Sequence, residues 1–146
     1  MEENRELYIV DASVVLKWFL EEIEDQKNAL ELRQDYFENS IDLVSPHYIF
    51  AEVMNTLGRK SSHVSALSAF ATLLTYNLPH YRTTLELASL AVELMKEFPG
   101  ISFYDAGYHA LALQHGGTFV TGDKKYYEKT KKRGHIMLLK QYGKKR

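Results

Sequence analysis

The stretch Ile101–Asp123, ISFYDAGYHALALQHGGTFVTGD, decides the fold prediction because it reads as a helix followed by a short buried strand. Apolar residues recur at helical spacing in its first half, and Gly116 follows them as a typical helix stop. The apolar run Thr118–Thr121 is typical of a strand. Asp105 lies at the start of the helix, and Asp123 comes just after the strand. In a parallel sheet these two ends meet at one edge, where open α/β sheets usually carry their sites.

The rest of the chain repeats this alternation of helices and strands. Three more apolar runs predict strands, at Leu7–Val10, Ile41–Val44 and His135–Leu139. Helical spacing of apolar residues predicts helices at residues 11–20, 26–38, 46–57, 61–75, 84–98, 103–114 and 124–132. Pro46 is expected in the first turn of the third helix, and Gly58 is expected to end it. The order predicts a three-layer α/β/α sandwich around a mostly parallel sheet of about four to five strands.

Length and composition favour one globular domain that spans residues 1–146. Hydrophobic residues make up 45% of the chain and charged residues 25%, as in ordinary soluble domains. The chain has no cysteine, which excludes a disulfide framework and a cysteine-based zinc site. We therefore expect a cytoplasmic protein. No long uncharged apolar run is present, and the acidic start MEENRE is unlike a secretory signal, so no membrane association is expected.

Charge is divided unevenly along the chain. Residues 124–146 contain ten Lys or Arg and one acid, whereas residues 1–123 contain eight basic and eighteen acidic residues. The pattern indicates an acidic body with a basic C-terminal segment. Such a segment beside an acidic site could steer a phosphate backbone toward it. A solvated helix and chain end explain the charges equally well.

Two further carboxylates are expected near the same edge. Asp11 ends the first predicted strand, and Glu52 lies in a largely apolar helix. Clustered carboxylates repel one another and are costly to bury, so they need protonation or a cation. A set of oxygen ligands favours Mg²⁺ or Mn²⁺, and such ions serve phosphodiester hydrolysis. By spacing alone, Asp11 and Asp105 are equally well explained as helix caps, Asp123 as a turn residue and Glu52 as a solvent-facing acid.

Four segments together resemble the PIN-domain ribonucleases, and in particular the VapC-type toxins of toxin–antitoxin pairs. The segments are YIVDAS, SPHYIFAEVMNTL, SFYDAGYHALA and FVTGD. Each is short and degenerate, but their order and spacing make the resemblance fairly specific. It extends from the first strand to the last, over almost the whole chain.

The resemblance implies a set of site residues. The four acidic residues of the family match Asp11, Glu52, Asp105 and Asp123. As the family implies, all four are catalytic and hold one or two Mg²⁺ or Mn²⁺ ions, with Asp11 and Asp105 as the principal ligands. Three supporting polar positions of the family match Ser13, Asn55 and Thr121. Lys124 and Lys125 follow Asp123 directly and are candidates for contacts with the RNA backbone.

The implied function is metal-dependent cleavage of RNA by the toxin of a toxin–antitoxin pair, often a homodimer that a small antitoxin protein inhibits. Two alternatives remain open: a PIN nuclease that processes RNA without an antitoxin, and a non-catalytic module that binds RNA or protein. The apolar helix at 61–75 is either a dimer face or part of the core. His109 is expected at the surface or in a groove wall rather than as a metal ligand, and Trp18 is expected in the core. Four tyrosines near the site either stack bases or pack internally: Tyr104, Tyr108, Tyr126 and Tyr127.

Overall fold

The computed structural model describes residues 5–21 and 24–143, which form a five-stranded sheet covered by helices. The strands are β1 (Glu6–Val10), β2 (Ile41–Pro46), β3 (His80–Tyr81), β4 (Thr118–Thr121) and β5 (Ile136–Leu138). Their order across the sheet is β3-β2-β1-β4-β5, and every neighbouring pair is parallel. The sheet places β1 and β4, the strands that lead to Asp11 and Asp123, side by side at its centre.

Within the described residues, the α-helices are α1 (Ala12–Leu16), α2 (Gln26–Phe37), α3 (Ile49–Lys60), α4 (His63–Thr75), α5 (Leu85–Glu97), α6 (Phe103–His115) and α7 (Lys124–Thr130). Helix α6 packs on β1, β2 and β4, while α2 packs on β2 and α7 on β5. The predicted α/β class with a central parallel sheet is confirmed.

Burial explains why the stretch around α6 organises the fold. Every residue from Ala106 to Ala112 is buried, so α6 is enclosed around its whole circumference. Ile9, Val10, Phe119 and Val120 on the two central strands are at most 1% exposed. Consecutive buried residues on a strand mean that both faces of the sheet are covered, as parallel sheets require.

The prediction for Pro46 is wrong, because this residue ends β2 and does not enter the next helix. Ser45 donates its backbone N–H to Pro79, and His47 donates its own to Tyr81. Pro46 lies between these two donors, at a strand position whose N–H points away from β3. A proline is tolerated there because the ladder needs no donor from it.

Two helix ends and one strand also differ from the prediction. Helix α3 continues through Gly58, an exposed position where the missing side chain costs about 1 kcal/mol but does not end the helix. Helix α1 ends at Leu16, four residues earlier than expected. Strand β3, between the helices predicted at 61–75 and 84–98, was missed because its two residues are too few to show an alternating pattern.

Trp18 lies where the sequence predicted. Trp18 is buried and donates its indole N–H to the Ala29 carbonyl at 2.9 Å, which confirms its place in the core.

The predicted basic helix at 124–132 ends at Thr130 and is followed by a 3-10 turn, Lys131–Arg133. Residues 1–4, residues 22–23 between the first two predicted helices, and residues 144–146 lie outside the described residues. No helix in the part of the chain that the structure describes is long and apolar enough to cross a bilayer.

Candidate active site

The candidate site lies at the carboxyl edge of the two central strands. Val10 of β1 pairs with Val120 of β4, so the residues that follow them, Asp11 and Thr121, are neighbours across the sheet. Thr121 donates its hydroxyl to Asp11 Oδ2 at 2.6 Å. The parallel register therefore brings together residues that are 110 positions apart in the sequence.

Asp11 is held by hydrogen bonds on both carboxylate oxygens. Its Oδ1 accepts the Ser13 hydroxyl at 2.5 Å and the Val14 backbone N–H at 3.2 Å. Asp11 is thus the N-cap of α1, as one interpretation of the sequence required. Capping uses one oxygen and Thr121 the other, so the carboxylate is fixed in orientation and only 7% exposed.

The turn after β4 is tied to the same group of residues. Gly122 donates its backbone N–H to Ser13 Oγ at 3.0 Å, and Asp123 donates its own to Thr121 Oγ1 at 3.1 Å. A Cβ on Gly122 would lie 3.2 Å from Ser13 Oγ, so glycine permits this close approach. Ser13 and Thr121 each connect Asp11 to the turn that carries Asp123.

Asp105 and Asp123 line one cavity of about 250 Å³. Asp105 lies in the first turn of α6, and its backbone N–H bonds to Ser102, which is the N-cap. The interpretation of Asp105 as the N-cap is therefore wrong, and its carboxylate forms a side-chain hydrogen bond with Ser102. Asp123 caps α7 by accepting the Tyr126 N–H at 3.0 Å.

Glu52 reaches the same region from α3. Its Oε1 accepts the hydroxyl of Tyr108 at 2.5 Å, which links α3 to α6. Tyr108 is 1% exposed and stacks on Phe119, so it cannot stack on a base. Its role in orienting Glu52 was missed, because the two residues are 56 positions apart and no local pattern joins them.

Burial raises the pKa of three of these carboxylates, and repulsion between them adds to the rise. Burial raises the pKa of Asp11 to about 6, against the lowering effect of its hydrogen bonds from Ser13, Thr121 and Val14. Burial also raises the pKa of Asp105, and the charge of Asp123 adds to that rise. The pKa of Glu52 is raised by burial and by the charge of Asp105, while the Tyr108 hydroxyl lowers it. Asp105 therefore interacts electrostatically with the other three acids.

The donor chemistry fits a hard divalent cation. All the candidate ligands are carboxylate oxygens. The raised pKa values of Asp11, Glu52 and Asp105 reflect desolvation and charge repulsion that a cation would relieve. As the side chains stand, no three His, Asp or Glu residues in the described ranges are grouped closely enough to hold one ion. Mg²⁺ needs fewer protein ligands than that, because it is commonly bound by one or two carboxylates plus water and substrate phosphate.

Some cations of the basic C-terminal segment already form ion pairs with glutamates. Lys124 pairs with Glu24 at 2.9 Å, and Arg133 pairs with Glu97 and Glu93. Lys125 instead lines the cavity of Asp105 and Asp123, together with Lys129. Part of the predicted phosphate-binding charge is therefore neutralised by the acidic body, and part faces the candidate site.

The remaining candidates divide between packing and exposure. The expected place of His109 at the surface or in a groove wall is wrong, because its side chain is fully buried in the core. Its Nδ1 lies 3.0 Å from the Tyr126 hydroxyl and its Nε2 2.8 Å from the Gly134 carbonyl, so neither nitrogen is available to a metal. Tyr126 is also buried, whereas Tyr104 is 54% exposed. Asn55 is exposed on α3, one turn after Glu52, and its role stays a prediction.

Fold and site together describe a parallel α/β protein with an acidic site at the carboxyl edge of its central strands. Comparison with known protein families matches residues 8–132 to the PIN domain. The chain belongs to the PIN domain family. A comparison with curated protein sequences found no match.

Solved structures share this fold at low sequence identity. VapC20 of Mycobacterium tuberculosis, described as a sarcin–ricin-loop cleaving toxin, is 20% identical with a TM-score of 0.64, over 83% of this chain and 93% of its own. A toxin–antitoxin complex from Klebsiella pneumoniae is 16% identical with a TM-score of 0.67, over 90% and 97%. VapBC2 from Rickettsia felis, bound to a promoter DNA fragment, is 17% identical with a TM-score of 0.67, over 90% and 96%.

Proposed function

We propose that this protein is a Mg²⁺- or Mn²⁺-dependent endoribonuclease and the toxin of a toxin–antitoxin pair. The observation that carries the proposal is the fixed, buried carboxylate of Asp11, which lies within electrostatic range of Asp105. A buried aspartate that only stabilises the fold needs a cationic partner or strong hydrogen-bond donors to keep its pKa low. For Asp11 the effect of burial on the pKa exceeds that of the donors. An unfavourable arrangement of this kind is typical of a functional site.

Each acidic residue has a distinct part in the proposed chemistry. Asp11 and Asp105 are the principal ligands, and Glu52 and Asp123 complete the metal site. When bound, the cation supplies an activated water and stabilises charge on the phosphate oxygens. Ser13 and Thr121 keep both oxygens of Asp11 oriented, since each donates to one of them.

RNA is the proposed substrate for two reasons. Lys125 and Lys129 line the cavity of Asp105 and Asp123, so phosphate-binding charge lies directly beside the proposed metal site. A structural relative, VapC20, is described as a toxin that cleaves the sarcin–ricin loop. The target RNA of the present protein would be set by the shape and charge of the surfaces around the site.

A cleavage assay tests the enzymatic part of the proposal. Purified protein is incubated with a mixed pool of labelled RNA, with Mn²⁺, with Mg²⁺ and with a chelator. We expect discrete cleavage products that require either ion and disappear with the chelator. Cleavage that survives complete chelation would contradict the metal site. RNA binding without cleavage, and no thermal shift with Mn²⁺, would instead indicate a non-catalytic binding module.

Partners form the second part of the proposal. Two of the structural relatives described above are toxin–antitoxin assemblies. We expect the product of a short neighbouring reading frame to copurify with the protein and to suppress its cleavage of RNA. Overexpression that leaves growth unaffected, together with no such partner, would favour an RNA-processing nuclease.

We also propose a homodimer in which α4 forms part of the interface. Val64, Leu67 and Leu74 on this helix are between 50% and 76% exposed, although Ala66 and Leu73 on its inner face are buried. Apolar residues of this kind on a surface helix are typical of an interface. Sedimentation should give a dimer for the wild type and a monomer for Leu67→Asp, and an unchanged mass would contradict the role of α4.

A further inference from the structure

A second basic cavity borders the candidate site on the side of Asp11. It has a volume of about 360 Å³ and is lined by Ser13, Leu16, Lys17, Thr56, Arg59, Lys60 and Gly122. We infer that this cavity binds a backbone phosphate of single-stranded RNA next to the phosphodiester that is cleaved. The inference rests on the proposed function and adds a substrate-binding subsite to it.

The cavity is joined to the acidic residues by direct hydrogen bonds. Ser13 lines the cavity and donates to Asp11, and Gly122, which also lines it, donates to Ser13. Gly122 immediately precedes Asp123. A phosphate in this cavity would therefore be adjacent to two of the proposed metal ligands.

Three cations from two helices surround the cavity. Lys17 follows α1, and its Cε would lie 4.0 Å from a Cβ placed on Gly122. Lys17 is only 9% exposed. Arg59 and Lys60 come from the last turn of α3 and are exposed.

Arg59 and Lys60 differ from the cations of the basic segment. Within the described residues neither forms an ion pair, whereas Lys124, Lys131 and Arg133 are each paired with a glutamate. Cations at a helix C-terminus interact favourably with the helix dipole, which accounts for their presence on α3. It does not account for the position of Arg59 and Lys60 at a cavity beside Ser13 and Gly122, whereas an anionic ligand does. Lys17 also interacts electrostatically with Glu24, so it is not counted as a cation that needs this ligand.

Two basic cavities therefore border the acidic residues at different points. One contains Lys125 and Lys129 beside Asp105 and Asp123, and the other contains Arg59 and Lys60 beside Ser13. The two share no lining residue. An RNA strand that entered one cavity and left by the other would pass the proposed metal ligands, with a phosphate bound on each side of the cleaved bond.

The test is the salt dependence of RNA binding to the double variant Arg59→Gln/Lys60→Gln. A labelled single-stranded oligoribonucleotide of mixed sequence is titrated without divalent metal, so that binding is measured without cleavage. Each phosphate contact contributes about 0.7 to the slope of log K against log salt concentration. We expect a slope smaller by about 0.7, for the one phosphate that this cavity binds, and roughly tenfold weaker binding at low salt.

The double variant Arg82→Gln/Lys96→Gln is the matched control, because it removes one exposed arginine and one exposed lysine that lie outside this cavity. Lys96, like Lys60, is in the last turn of its helix. The control should keep the wild-type slope. Equal slopes for all three proteins would overturn the inference even if the wild type cleaves RNA, since the proposed function is tested separately by metal-dependent cleavage.

Substrate truncation provides a second readout. With a cleavable RNA, the ratio of wild-type to Arg59→Gln/Lys60→Gln activity should fall to about one when nucleotides are removed from one particular side of the cleavage site. Removal from the other side should leave the ratio unchanged. A ratio that does not depend on truncation from either side would contradict a subsite next to the cleaved bond.

Discussion

Thr121 donates a 2.6 Å hydrogen bond to Asp11 and thereby connects two parallel strands at the edge where the acidic residues gather. The same hydroxyl oxygen accepts the backbone N–H of Asp123 at 3.1 Å. One side chain thus orients one proposed ligand and positions the turn that carries another. Groups that hold metal ligands in place commonly affect metal affinity nearly as much as the ligands do.

Replacing Thr121 by valine keeps the shape of the side chain but removes both hydrogen bonds. Asp11 Oδ2 would lose its donor in a buried position, so we expect the free energy of unfolding to fall by about 1–3 kcal/mol. Cleavage of RNA should fall by about tenfold or more. Thr121→Ser retains the hydroxyl and is the control. Urea unfolding and cleavage rates that are the same for valine and serine would contradict this role.

Tyr108 is expected to orient Glu52 through its hydroxyl. Tyr108→Phe removes the donor and leaves the buried ring stack on Phe119 in place. We predict a loss of about tenfold in Mn²⁺ affinity, measured by calorimetry, with little change in fold. Tyr104→Phe, in which the altered hydroxyl belongs to an exposed tyrosine, should bind Mn²⁺ like the wild type. Normal affinity in Tyr108→Phe would remove this residue from the site.

Gly107 allows the hydroxyl of Tyr48 to approach α6. A Cβ at this position would lie 2.0 Å from the Tyr48 hydroxyl, which itself donates to the Tyr104 carbonyl at 2.8 Å. Gly107→Ala should therefore destabilise the protein by about 1–3 kcal/mol, although alanine is the better helix former.

The companion variant Tyr48→Phe isolates the cause. Without the hydroxyl, the nearest Tyr48 atom to the new Cβ would be Cζ at 3.2 Å, so Gly107→Ala should cost less in this background. A double-mutant cycle by urea unfolding should give a coupling energy of about 0.5–3 kcal/mol. Additive effects would show that the hydroxyl does not exclude alanine.

His109 should make stability depend on pH. Burial lowers the pKa of His109, and the charges of Arg133 and His135 lower it further, while the Gly134 carbonyl and Glu97 oppose the change. Because the unfolded chain then binds more protons near pH 6 than the folded one, stability rises with pH in this window and is lost on acidification below about 6.5.

The His109→Gln variant tests this linkage. Its free energy of unfolding should fall less than that of the wild type between about pH 7.5 and 5.5, when both are measured by urea denaturation. The difference between the two proteins removes the contribution of the other histidines. A parallel decline in both proteins would show that His109 is not the group responsible.

Local patterns predicted the central elements well. The spacing of apolar residues and Gly116 set the bounds of α6 and β4 almost to the residue, because the middle of α6, Ala106–Ala112, and most of β4 are buried. The predicted boundaries of helices and strands were wrong where tertiary contacts overrode the local preference of the sequence. Pro46 stays in a strand because its missing N–H faces away from β3, and β3 itself exists only through its pairing with β2.

The candidate site could be predicted only in part. Motif resemblance placed Asp11 and Thr121 as candidates, and the parallel register explains why they meet. The bond from Tyr108 to Glu52 and the cavity that joins Lys17 to Arg59 depend on how α1, α3 and α6 pack against one another. No periodicity in the sequence records such contacts between distant helices.

The most direct test of the account is the rate of Mn²⁺-dependent RNA cleavage by wild type and Asp105→Asn. Glu86→Gln is the matched control, because Glu86 is also an acid in the first turn of a helix but does not line the cavity of Asp105. We predict full activity in the wild type and the control, and a loss of at least about 100-fold in Asp105→Asn with its fold intact. Equal cleavage by all three proteins would contradict the proposed metal site.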